Sequence, residues 1–139
     1  MEEAKETGKY STTHDQFAFE IAFNHVCYLI ENKSNLNNNS EIRIEQAKQY
    51  FQSAKTSLDS IVKSGYEYSS QTPYLKEIIK YCGKDISKIS SKDVNELKGE
   101  LSSVLNKLDN LKKNPQEFYK TDDSEELFGF LTGLMPFRI

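Results

Sequence analysis

Residues Phe17 to Ile30 read FAFEIAFNHVCYLI, the most apolar run in an otherwise polar chain. At about 100° per residue, a helix over this stretch gathers Glu20, Asn24 and Glu31 on one narrow stripe. Phe17, Phe19, Ile21, Ala22, Phe23, Val26, Tyr28, Leu29 and Ile30 cover most of the remaining circumference. A helix on a domain surface carries one apolar face roughly 100° wide. This one is much wider, which predicts a helix wrapped by others or partly buried in an interface. It also falls well short of the roughly 20 apolar residues that cross a bilayer, and Glu20, Asn24 and His25 interrupt it. The stretch reads as a central core helix.

Working outward, Thr12, Thr13 and Asp15 supply a cap and favourable negative charge for a helix over 13–32. Residues 1–11, charged and small, read as a flexible N-terminal arm, and 12–139 as one helical bundle domain. The Asn/Ser tract from Asn32 to Ser40 is a connector by composition. Ser40 is expected to cap a long helix over 41–64 that stops at Gly65. Here the apolar spacing becomes strict: Ile44, Phe51 and Leu58 form one seven-residue series, with Ala47, Ala54 and Ile61 interleaved.

Thr72-Pro73 predicts the start of a short helix over 73–82, with Leu75, Ile78, Ile79 and Cys82 on one face and Gly83 at its end. Ile86 and Ile89 are placed to pin the following bridge to the core. Ser91 is expected to cap a second long helix, 92–113, on which Val94, Leu101 and Leu108 alternate with Leu97, Val104 and Leu111. Asn114-Pro115 is read as its stop, and Gly99 in its interior as a mark of a close helix crossing. An acidic start, Asp122 to Glu126, then leads into the apolar Leu127–Met135, ended by Pro136. The fold class is all-α: a four- to five-helix bundle with a central apolar helix and two long heptad-patterned helices.

Composition bounds the function. The chain has 139 residues, 37% hydrophobic and 28% charged, enough for one domain with a real core. A net charge of −3 gives no global electrostatic reason to seek nucleic acid or an acidic membrane. The start, Met1-Glu2-Glu3-Ala4, lacks the basic-then-apolar pattern of a secretory signal, and Cys27 and Cys82 read as buried thiols. A cytoplasmic location is the expectation.

Catalytic constellations are sparse. His14 and His25 stand about three helical turns apart and cannot chelate one ion from a single helix. Neither has a glutamate three residues before it, the spacing of helical di-iron sites. Cys27 lies two residues from His25, so the two point about 200° apart and cannot act as a dyad. Glycines 8, 65, 83, 99, 129 and 133 are scattered singly, so there is no phosphate-cradling loop. No enzyme activity, cofactor, metal or small-molecule substrate is expected.

Two surfaces remain. Lys48 and Lys55 flank one heptad seam and Lys98 and Lys112 the other, either as interhelical charges or as phosphate contacts aided by Tyr66, Tyr68 and Tyr74. The tail carries Gly-x-x-x-Gly, and its Leu127, Phe128, Phe130, Leu131, Leu134 and Phe137 either close the bundle or dock on a partner. The favoured expectation is a non-enzymatic protein–protein interaction module, self-associating or bound to a partner: an adaptor, small assembly subunit or inhibitor. Two alternatives are a small nucleic-acid-associated subunit of a ribonucleoprotein effector and a helical immunity or toxin-neutralising protein.

Overall fold

The computed structural model describes residues 12–64 and 75–134, and every regular element among them is helical. In order these are α1 (Thr12–Asn32), α2 (Asn38–Ser64), α3 (Leu75–Tyr81), a 3-10 turn (Ile86–Lys88), α4 (Ser91–Lys113), α5 (Pro115–Phe118) and α6 (Asp122–Leu134). The chain is an all-α helical bundle. The expected N-terminal arm, the Gly65 stop, the Thr72-Pro73 start and Phe137 lie outside the described residues.

Local chemistry sets the helix ends. α1 closes with Lys33 N–H donating to the Ile30 carbonyl and Ser34 N–H donating to the Leu29 carbonyl. This crossed pair needs a left-handed residue between the helix and its exit. Lys33 supplies it at φ 49°, a conformation that costs a side-chain-bearing residue about 1–2 kcal/mol. α3 ends in the same crossed pattern, Gly83 to Lys80 and Lys84 to Ile79, but with glycine at the left-handed position, φ 80°.

The starts of two helices differ from the sequence reading. α2 begins ahead of Ser40 because the Asn37 carboxamide oxygen accepts the Ser40 N–H at 2.8 Å, so Ser40 falls inside the first turn. Ser90, not Ser91, caps α4: its Oγ accepts the Asp93 N–H while Asp93 accepts the Ser90 N–H, both at 3.1 Å. The residue three places after Ser91 is Val94, which has no acceptor to return. Pro115 does not simply stop the chain's helical course. It opens α5, where a missing N–H leaves nothing unsatisfied.

Packing follows the apolar stripes. α1, α2, α4 and α6 contact one another in a closed cycle, and α3 covers α6. The sequence puts α1 at the centre, wrapped by the two long helices. Instead, α2 stands between α1 and α4, and the principal neighbours of α1 are α2 and α6. Ile44, Ala47, Phe51, Ala54 and Leu58 of α2 are buried, as are Val94, Leu97, Leu101, Val104, Leu108 and Leu111 of α4. On α1 the width of the apolar surface is used by Ala22, Phe23, Val26, Cys27, Leu29 and Ile30, while Tyr28 stays 55% exposed.

Aromatic rings tie the cycle together. Phe23 of α1 stacks on Phe51 of α2 at 5.3 Å, and Phe51 meets Phe130 of α6 at 5.7 Å. Phe130 in turn takes the edge of Tyr81 from α3 at 5.2 Å. Contacts of this kind contribute about 0.5–1.5 kcal/mol each beyond area burial. Gly99 marks no close crossing: a Cβ there would meet nothing within 4 Å.

Candidate functional site

The four lysines singled out from the sequence lie along the seam between α2 and α4, and each has a partner on the opposite helix. Lys112 donates to Glu45 at 2.7 Å and Lys48 pairs with Asp109 at 2.5 Å. Further along, Lys55 donates to Ser102 at 2.8 Å and Lys98 to Asp59 at 3.0 Å. The residue numbers of every pair add to the same total, the signature of two antiparallel helices in fixed register. These contacts hold the Glu45 carboxyl below its usual range, chiefly through the Lys112 bond. The Lys48 ammonium is held above its own, chiefly through Asp109.

Helix α6 places its apolar residues inward. Leu127, Phe130, Leu131 and Leu134 are buried in the common core, and Phe128 is half-buried against it. Of its two glycines only Gly133 admits a neighbour, and that neighbour is a side chain: a Cβ there would collide with the Tyr81 ring. Gly129 has nothing within 4 Å of where its Cβ would stand. α6 therefore closes the bundle, with Lys107 of α4 pairing to Glu126 at 3.4 Å beside it.

What the sequence did not single out lies on the first half of α2. Ile42 is 55% exposed and lines an open groove of about 580 Å³ with Asn38, Glu41, Glu45, Gln46, Gln49 and Lys112. The signal was available: Ile42 stands two residues from Ile44, about 200° around the helix, and so points away from the buried stripe. Tyr28 and Tyr81 are the other large apolar side chains exposed among the described residues.

Among the described residues no three His, Cys, Asp or Glu side chains stand close enough to hold a metal ion. Neither Cys27 nor Cys82 is in a disulfide. Burial, reinforced by Glu100, pushes the Cys82 thiol up, which keeps it protonated at neutral pH. His25 turns to Ser40, 3.2 Å away. Tyr66, Tyr68 and Tyr74 lie outside the described residues. No described helix is long and apolar enough to cross a membrane. Comparison of the chain with protein-family models, curated proteins and solved structures finds no match.

Proposed function

We propose that the chain is a non-enzymatic helical module that works by protein–protein contact, as an adaptor, small assembly subunit or inhibitor, through the groove around Ile42. The observation that supports this is one exposed isoleucine lining an open groove together with the amide side chains of Asn38, Gln46 and Gln49. Protein interfaces share that anatomy: an apolar anchor at the centre and hydrogen-bonding groups around it. Leu127, Phe130, Leu131 and Leu134 of α6 are taken up by the chain's own core, so contact through them would require the bundle to open. The nucleic-acid reading has less to stand on, because each of its four lysines already has a partner across the α2–α4 seam. A phosphate would have to compete with these contacts, three to carboxylates and one, from Lys55, to a hydroxyl.

A photo-crosslinking amino acid placed at residue 42, in cells that make the protein, tests this. A discrete adduct at 42 that is absent from the same probe at Tyr81, and is abolished by Gln46→Arg, is the expected result. An adduct at twice the chain's own mass identifies self-association. No adduct at 42, or equal adducts at both positions, would contradict the proposal.

A further inference from the structure

Charge and hydrogen-bonding capacity around Ile42 restrict what its groove can hold. Glu45 lines the groove but is occupied, accepting from Lys112 at 2.7 Å and from Lys48 at 3.3 Å. Lys48 also meets Asp109, so two ammonium groups face two carboxylates and the set is neutral. Glu41 stands one turn before Glu45 on the same groove. It is exposed, and no described residue pairs with its carboxylate. The positive end of α2 favours its ionised form. Arg43 lies on the flank toward α1, where it donates to Gln46 at 3.0 Å and acts on His25. Among the described groove residues, Glu41 is thus the charge left unpaired.

The carboxamides restrict the backbone of the occupant. Asn38 and Gln49 are exposed, line the groove, and have no hydrogen-bond partner for their side chains among the described residues. Each offers two N–H donors and a carbonyl acceptor, the complement of a peptide unit. A helix arrives with its backbone groups already paired, whereas an extended segment arrives with them free. Along α2 the two amides stand roughly 16 Å apart at 1.5 Å per residue. About five residues of extended chain cover that length at about 3.3 Å each. A nucleic-acid backbone fits poorly, since its phosphates would meet the Glu41 carboxylate.

We infer that the occupant of the groove is an extended, cationic segment of a partner protein, with an apolar side chain against Ile42 and a lysine or arginine against Glu41. This rests on the reading of the groove as a protein contact surface and adds the chemistry of what it contacts. Ile42 and Glu41 are adjacent on the outer surface of α2. An extended chain puts side chains two places apart on one face, about 7 Å from each other. The apolar residue and the cation therefore stand two places apart in the partner, in either order.

Selection of random dodecapeptides displayed on phage, against the intact chain, tests this. The expected binders are enriched severalfold, relative to the unselected library, in an apolar residue with lysine or arginine two places away. Ile42→Glu should abolish the enrichment, and Glu41→Lys should turn the preference from basic to acidic residues. Both substitutions are at exposed positions, and a thermal melt of each variant verifies that it folds. No enrichment would overturn the inference. So would binders without a basic preference, or a basic preference that survives Glu41→Lys. The two claims fail separately. An adduct at residue 42 from a second copy or a folded partner surface, with no basic preference in the library, keeps the contact surface and removes the cationic segment. No adduct at 42 removes both.

Discussion

Helix α6 and the first half of α2 present opposite relations between composition and exposure. α6 reads as the stickier segment, LFGFLTGL, yet Leu127, Phe130, Leu131 and Leu134 all face the core. The start of α2 is polar, NNSEIRIEQ, yet it leaves Ile42 in solvent. Hydropathy of a segment states how much apolar surface it carries and nothing about where that surface goes. Position relative to the buried stripe decides. On α6 the apolar residues fall on the side met by α1 and α4, whereas Ile42 lies across the helix from Ile44.

Substitutions can break this contrast. Leu131→Ala removes a fully buried side chain from the junction of α6 with the bundle and should cost about 2–5 kcal/mol, read by urea unfolding. A loss near zero would mean that α6 is not packed as described. Gly133→Ala should destabilise by about 1–3 kcal/mol, since its Cβ needs the space of the Tyr81 ring. Tyr81→Ala in the same chain should relieve most of that clash, an interaction a double-mutant cycle measures.

The sign reverses one turn earlier. Gly129→Ala on α6 and Gly99→Ala on α4 meet no atom within 4 Å, so each should gain about 0.5–1 kcal/mol from helix propensity alone. Opposite signs at Gly129 and Gly133 would localise the Tyr81 contact to one of two glycines in the same motif. The smallest effect belongs to Ile42→Glu, which should leave stability within about 0.5 kcal/mol by thermal unfolding. A large loss there would place Ile42 in the core and remove it as a contact residue.

Much of the architecture was legible because periodicity is a local property. Of the residues in the seven-residue series on α2 and α4, all but Ile61, whose side chain is not described, are buried, and the glycine end of α3 falls where the composition put it. Boundaries set by a reciprocal side-chain bond were less legible. Choosing Ser90 over Ser91 needs the observation that Asp93 stands three places on, and starting α2 at Asn38 needs the reach of the Asn37 carboxamide. The lysines illustrate a different gap. Lys48, Lys55, Lys98 and Lys112 were visible as flanking charges, but their partners lie on a helix 39–67 residues away in sequence, and only the antiparallel register brings them together. The order of neighbours was the least legible feature. Nothing in the apolar width of α1 says that α6, and not α4, lies against it.

Closure of α6 on its own bundle leaves the outer face of α2 as the candidate contact surface. Native-state hydrogen exchange of α6 in the isolated, intact chain tests this most directly. The amides of Phe130, Leu131 and Leu134 should open with the same free energy as those of Phe51 and Leu101, moving with global stability as urea is added. Exchange at α6 that is orders of magnitude faster, with α2 and α4 still protected, would show that α6 is not closed on its own bundle and return the contact surface to it.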